Sequence, residues 1–205
     1  MGDFVTDQEE FWAGKFGDDY LERNQSAQLR ASNLALFSRV LTNTQNICSS
    51  IEFGANTGLN LISIRQLRPK IDLAAVEINR SAVEKLKQIE GIDVYHGSIN
   101  EFTPQRRYDF VFTKGVLIHL SPETLPQVYE KMYTTSSRYI CVAEYYNPSP
   151  VEVTYRGHSG KLFKRDFAGE LLEKYKDLRL IDYGFSYHRD PVFPQDDITW
   201  FLFEK

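Results

Sequence analysis

The chain of 205 residues has only two cysteines, Cys48 and Cys141, so a disulfide framework is excluded. No His/Cys cluster has metal-ligand spacing, and no zinc site is expected. No apolar run approaches the ~18 residues that a membrane span requires. Basic residues are outnumbered, 24 Lys and Arg against 28 Asp and Glu, for a net charge of −4. Without a basic field, general binding to nucleic acid or to an anionic membrane is not expected. The opening residues lack the charged-then-apolar layout of a secretory signal, so a cytoplasmic location is expected. Repeats, low-complexity tracts and Gly/Ser linkers are absent as well. No Gly-Lys-Ser/Thr follows a glycine loop, which excludes a P-loop.

What is present is an ordinary globular composition, 42% hydrophobic and 14% aromatic, at a length that suits one domain. Residues 7–42 read as two helical stretches, a short aromatic one and a longer amphipathic one carrying Leu29, Leu34, Phe37, Val40 and Leu41. From Ile47 strands and helices alternate. Strands are expected at Ile47–Phe53, Ile71–Ile78, Ile92–His96, Tyr108–Thr113 and Tyr139–Tyr145. The helices between and after them are Thr57–Leu67, Ser81–Glu90, Ser121–Thr134 and Arg165–Tyr175. Ser81 and Ser121 are placed to cap their helices, with Pro122 at the first helical position. Two last strands, Leu178–Tyr187 and Ile198–Glu204, have no helix between them and should pair antiparallel. The expected fold is α/β: a three-layer Rossmann-like open sheet of about seven strands, mostly parallel, the last one antiparallel. It forms a single domain, with residues 1–45 as a helical lid and 46–205 as the core. In such sheets ligands lie at the carboxyl ends of the strands, at the switch point.

The first strand ends in Glu52-Phe53-Gly54-Ala55-Asn56-Thr57-Gly58. A glycine-bearing turn from strand to helix lets backbone approach a ligand closely. Glu77 ends the next strand, 19 residues after Gly58, near the ~20-residue offset at which a carboxylate accepts from ribose hydroxyls. An adenosine-containing ligand is indicated. A dinucleotide fingerprint needs glycine where Asn56 stands, and Glu52 would repel a pyrophosphate while attracting an ammonium. S-adenosylmethionine therefore fits best; a dinucleotide, or a plain turn without a cofactor, are the alternatives that the residues leave open.

These segments, with Val76-Glu77-Ile78, Tyr108-Asp109-Phe110-Val111-Phe112 and Lys114-Gly115-Val116-Leu117-Ile118-His119-Leu120, resemble the class I S-adenosylmethionine-dependent methyltransferases over roughly residues 47–205. The resemblance implies that Gly54, Ala55, Asn56 and Gly58 line the methionine portion, with Glu52 near its ammonium. Glu77 then takes the ribose hydroxyls, and Ile78 and Ile99 cover the two adenine faces. Gly97 and Ser98 stand where the family often has an acidic residue for the adenine amino group; serine is a weaker partner. Lys114 and Gly115 are implied to lie under the sulfonium. A narrower resemblance links Glu10–Asn24, Tyr145–Pro150 and Tyr155–His158 to the pseudaminic acid biosynthesis-associated methylases, which implies O-methylation of a sugar acid or its precursor for surface glycans.

Two regions remain for an acceptor. In the aromatic N-terminal segment Tyr20 and Arg23 lie three apart on one helical face and are expected to reach the cofactor pocket; the segment is read as a lid that excludes water, or else as a helix packed on the sheet. The other region, Asn147–Arg165, concentrates Arg156, His158, Lys161, Lys164 and Arg165 in an otherwise acidic chain. Together with Tyr145 and Tyr146, Arg156, Lys161 and Arg165 are expected to bind a small anionic carbohydrate. His119 and His158 are the candidate bases for a hydroxyl acceptor, and each could instead serve only as scaffold or surface. The alternatives are a scaffold that binds S-adenosylmethionine without catalysis, an NAD-dependent enzyme, and a methyltransferase acting on protein or nucleic acid. For nucleic acid the usual Asn-Pro-Pro-Tyr-like motif is absent: its place reads Thr113-Lys114-Gly115-Val116.

Overall fold

The structure, a computed structural model, describes residues 6–23 and 26–205, apart from the side chains of Glu22 and Arg23. Three helices open the chain: α1 (Asp7–Ala13), α2 (Lys15–Arg23) and α3 (Ala27–Thr42). The α/β core follows as β1 (Ser49–Phe53), α4 (Leu59–Leu67), β2 (Asp72–Glu77), α5 (Arg80–Leu86), β3 (Ile92–His96) and β4 (Tyr108–Lys114). A short 3-10 turn, Leu117–His119, leads to α6 (Leu125–Thr135) and β5 (Ser136–Glu144). A small ribbon, β6 (Val151–Glu152) with β7 (Phe163–Lys164), precedes α7 (Phe167–Lys174), β8 (Arg179–Ser186) and β9 (Ile198–Glu204).

Seven strands form the main sheet in the order β3-β2-β1-β4-β5-β9-β8. The five strands from β3 to β5 pair in parallel, as strands joined by helices must. β9 runs antiparallel to both β5 and β8, so the last strand is inserted beside the edge rather than added at it. This is the fold the alternation predicts. The chain moves outward from β1 in both directions, which opens a crevice above β1 and β4.

Side chains alternate between the two faces of β4. Phe110 and Phe112 pack under α3 and α4 with Phe37, Leu61 and Ile64, whereas Val111 joins the opposite cluster with Val128, Met132 and Leu171. In α3 the buried positions are Ser32, Asn33, Leu36, Phe37, Val40 and Leu41, spaced four apart along two rows. Leu34 lies off that stripe. Helix α3 is thus a layer of the core, and only α1 and α2 stand apart from it.

Several caps differ from expectation for a local reason. Asn79, not Ser81, caps α5 by accepting from the Ala82 amide at 2.9 Å; being two residues earlier, it also reaches across to α1 and α2. Ser121 and Pro122 fall in a preceding turn, and α6 starts at Leu125 with a proline in its first turn. The N-terminal pattern of one short and one long helix resolves into three helices, because the chain goes extended at Gly14 between α1 and α2.

Candidate functional site

At the carboxyl ends of β1, β2 and β4 the crevice deepens into a cavity of about 1260 Å³ counting its open mouth. Its floor is the turn after β1. Gly54 has a φ of +75°, and a Cβ there would stand 2.6 Å from Val116 Cγ2, so only glycine permits the turn to close against the loop after β4. The Gly54 and Ala55 amides both donate to the Val76 carbonyl, at 2.8 and 3.2 Å. Asn56 also takes a left-handed φ of +50°, and its amide donates to Glu77 Oε2 at 2.7 Å. The other oxygen of Glu77 accepts from the Asn79 amide at 2.7 Å. Glu77 is therefore held by backbone from both sides, with its carboxylate at the cavity wall. Burial raises its pKa, and the amides of Asn79, Asn56 and Ile78 oppose that rise.

Glu52 sits one layer behind the wall and is fully buried. Its Oε1 accepts from Asn60 Nδ2 at 2.6 Å, while Glu52 Oε2 and Asn60 Oδ1 are buried without any hydrogen bond. A buried polar atom left without a hydrogen bond is costly, so each of the two calls for a partner. Burial pushes the Glu52 pKa up to about 8, against the pull of the Asn60 bond and the Lys114 charge. Lys114, at the end of β4, is drawn down by burial and held up by Glu52, Asp196 and Glu144. It lines the cavity beside Gly115, where a Cβ would meet only open space.

His119 follows the 3-10 turn. Its Nδ1 lies 2.7 Å from the Lys161 carbonyl, which can only accept, so Nδ1 carries the proton and Nε2 is the lone-pair nitrogen. Nε2 has no hydrogen bond among the described residues. Burial lowers the His119 pKa to about 4, which keeps the ring neutral. The turn is anchored by Glu144, whose carboxylate accepts from the amides of Val116, Leu117 and Ile118 at 3.0 to 3.5 Å. Burial raises the Glu144 pKa to about 7.

Helices α1 and α2 close over this cavity. Trp12 packs against His119 with ring centres 4.6 Å apart, Tyr155 packs on it at 4.8 Å, and the Trp12 and Tyr155 ring centres lie 6.4 Å apart. Gln8 donates to the Gly160 carbonyl at 2.9 Å and Lys161 to the Asp7 carbonyl at 2.9 Å. The N-terminal helices and the loop after β5 thereby form one cover. Asn79 Nδ2 ties it to the sheet through the Trp12 carbonyl at 3.2 Å and Asp18 at 3.1 Å.

Of the residues expected from sequence, Tyr20, Gly54, Ala55, Asn56, Glu77, Ile78, Gly97, Ser98, Ile99, Lys114, Gly115 and His119 line this single cavity. Glu52 stands behind it, and Gly58 caps α4 instead of lining it. The Arg23 side chain lies outside the described residues. The acceptor-side expectations gather less well. His158 packs on Phe11 and Phe16 outside the cavity. Arg156 is exposed over the Tyr155 ring, Arg165 is paired with Glu170 at 2.5 Å, and Lys161 is spent on the Asp7 carbonyl. Tyr145 is half-buried beneath Lys164, and Tyr146 is exposed against Phe201. Local charge drew attention to these cations, but carboxylates and carbonyls of the fold take up Arg165 and Lys161. Sequence reasoning missed Glu9, Asn60, Asn79, Glu144 and Asp196. Thr6-x-x-Glu9 is a readable capping box, yet nothing local announces that Glu9 is buried at the cavity.

A family model described as tellurite resistance protein TehB matches residues 33–186. Among solved structures, magnesium protoporphyrin IX methyltransferase from Synechocystis PCC 6803, with bound SAM, superposes with a TM-score of 0.69 at 10% identity, over 100% of both chains. The 1,6-didemethyltoxoflavin-N1-methyltransferase of Burkholderia thailandensis, with its acceptor and S-adenosylhomocysteine, gives 0.70 at 11% identity, over 100% of this chain and 93% of that one. An amino pentose methyltransferase from Micromonospora echinaspora gives 0.63 at 10%, over 92% and 95%. The shared fold is that of the class I methyltransferases. No curated protein matches in sequence.

Proposed function

The chain belongs to the TehB family, and from that footing we propose that it is an S-adenosylmethionine-dependent methyltransferase acting on a small molecule. The observation that carries this is the wall of the cavity. Glu77 offers a backbone-braced carboxylate for a ribose, and Asn60 Oδ1, unpartnered at the wall with Glu52 behind it, offers an acceptor for an ammonium. Those needs match the cofactor's two polar ends, and a pyrophosphate would meet carboxylates instead. The solved relatives with SAM or S-adenosylhomocysteine in the same fold support the same reading.

When bound, the cofactor supplies a methyl carbon activated by its sulfonium. This chain's residues then have three tasks. Gly54 and Gly115 admit the ligand close to backbone, which fixes the line of attack, and alignment supplies most of the rate. Trp12, Tyr155 and the docked α1 keep water away from His119. His119 Nε2 takes the proton that the acceptor's hydroxyl loses as its oxygen bonds to carbon. A weak base suffices there, because the oxygen becomes strongly acidic as the new bond forms, and a low pKa returns the proton to solvent readily.

For the acceptor we propose a small anionic carbohydrate, a sugar acid or nucleotide sugar. The motif resemblance supports it, and so do Arg156 and Lys164, which are not spent on a fold carboxylate as Arg165 is. The test is turnover of S-adenosylmethionine to S-adenosylhomocysteine with sugar acids, nucleotide sugars and uncharged sugars. Turnover confined to the anionic compounds, reduced roughly 10²-fold in His119→Ala, is the expected result. Turnover only with uncharged acceptors would remove the anionic class and leave the methyltransferase. Cofactor binding with no turnover on any acceptor would favour a silent scaffold.

A further inference from the structure

One wall of the cavity has no part in the cofactor reading. It is made by the start of α3 and the link between β8 and β9, which are tied together. Gln28 Nε2 donates to the Val192 carbonyl at 2.6 Å, and Gln195 Nε2 to Asn33 Oδ1 at 3.0 Å. Leu29, Asn33 and Asp196 of this wall line the cavity, and so does Lys114 at the end of β4. Lys114 continues the face of β4 that carries Phe110 and Phe112, the face that packs on α3, so its side chain rises on the side of this wall.

Lys114 is half-buried, and it is the only lysine or arginine among the described residues that line the cavity. Its Nζ makes no hydrogen bond among the described residues, and no carboxylate of theirs lies within ion-pair distance. Glu52, Asp196 and Glu144 act on it only from farther away. The other cations near the site differ. Arg165 and Lys161 are taken up by the fold, while Arg156 and Lys164 lie over the Tyr155 and Tyr145 rings and do not line the cavity. An ammonium turned into a cavity without a partner calls for an anion. A sulfonium in the same cavity strengthens that call, since it adds a second positive charge. Asp196 restricts the answer. Its carboxylate is exposed at the rim and has no hydrogen bond among the described residues, so it can accept from a hydroxyl, and it repels a ligand with more than one negative charge. A single carboxylate flanked by hydroxyls meets both groups, and a diphosphate does not.

We infer that Lys114 binds the carboxylate of the acceptor and thereby selects a singly charged hydroxy acid over a nucleotide sugar. The inference rests on the methyltransferase reading above and narrows it. Anion recognition then lies inside the cavity, at the end of β4, and not on the exposed cations of the loop after β5. The cofactor carries a carboxylate of its own, and the experiment separates the two sources.

The test is turnover of S-adenosylmethionine with hexuronic and nonulosonic acids, with the methyl ester of each, and with UDP-sugars. In the unmodified protein kcat/KM is expected to fall at least about tenfold from free acid to ester, as the charged partner of Lys114 is lost. Lys114→Met, which keeps the length and removes the charge, should raise KM for the acid at least about tenfold and erase the preference over the ester, with affinity for S-adenosylhomocysteine by calorimetry within about threefold. Lys114→Arg should retain a preference for the acid. Equal turnover of acid and ester, or preference for UDP-sugars, overturns the inference with the unmodified protein alone, whether or not Lys114→Met folds. A loss of S-adenosylhomocysteine affinity in Lys114→Met as large as the rise in KM places the carboxylate on the cofactor and also overturns it. Binding of S-adenosylhomocysteine with no turnover of any free acid overturns the inference and leaves the cofactor reading standing. No binding of S-adenosylhomocysteine overturns both.

Discussion

Glu77 and Glu52 are both buried carboxylates, but their surroundings give them different consequences. Glu77 accepts two amide bonds at 2.7 Å and is braced for a ligand. Glu77→Ala is expected to weaken S-adenosylmethionine binding at least tenfold by calorimetry, since a charged acceptor is worth roughly 1.5–3 kcal/mol. Glu52 has only the Asn60 bond, and its pKa is raised to about 8 from an ordinary 4.5. The folded protein therefore holds a proton on Glu52 that the unfolded chain has released, and stability falls as pH rises from about 4.5 to about 8. Glu144, raised to about 7, acts in the same direction up to pH 7. His119, lowered to about 4, acts oppositely: the unfolded chain takes up its proton below about 6.5, so stability falls as pH drops from 6.5 to 4. Above pH 6.5 His119 no longer contributes while Glu52 still titrates up to about 8; Lys114, drawn down by burial, acts in the opposite direction, so the comparison with Glu52→Gln reads the carboxylate. Denaturant unfolding of the ligand-free protein should show stability decreasing across it, and Glu52→Gln should flatten the decrease. An unchanged slope would mean that Glu52 is ionised in the fold.

At the scale of elements, the cover depends on how closely α2 approaches the end of α1. A Cβ on Gly17 would stand 2.0 Å from the Trp12 carbonyl oxygen and 2.8 Å from Asn79 Nδ2. Neither is a flexible end that can swing clear, because Asn79 is pinned by its cap to α5 and Trp12 is packed on His119. Gly17→Ala should push α2 away and open the cover. Hydrogen exchange over residues 7–23 should rise, and cofactor affinity should fall several-fold with little change in the sheet. Affinity as in the unmodified protein would show that α1 and α2 add nothing to binding. The same elements show why part of the site was legible and part was not. The turn after β1 and the acidic end of β2 are written locally, as glycines and a carboxylate at fixed spacing, so Gly54 and Glu77 could be named from sequence. Glu9, Asn60 and Asp196 are ordinary polar residues in ordinary segments, and become site residues only when helices and loops fold over the crevice. The reverse holds for Arg165 and Lys161, which stood out by charge and are taken up by Glu170 and the Asp7 carbonyl.

For the whole molecule, ligand binding adds to folding stability by mass action. S-adenosylhomocysteine at ~100 times its dissociation constant should add roughly 2.7 kcal/mol and raise the melting temperature by about 5–10 °C, with no rise for NAD. A rise with NAD alone would reverse the reading of Glu52 and Asn56. Two apolar clusters, one on each face of the sheet, make the rest of the molecule a rigid frame for the crevice. The alternation of strands and helices determined that frame from sequence, since each crossover must return parallel and right-handed, and the missing helix between β8 and β9 determined the one antiparallel strand. Periodicity also determined which residues face the core. It could not assign Leu34 and Leu36 in α3 correctly, because the stripe depends on which face meets the sheet. What tertiary structure alone decided is the pairing of polar groups across long separations: Glu9 with Ser98 and Asn100, Glu144 with the turn before His119, and Lys161 with the Asp7 carbonyl. A hydrogen bond is short-ranged and directional, so its partners are settled by where packing leaves them, whereas strand and helix are settled by neighbours a few residues away.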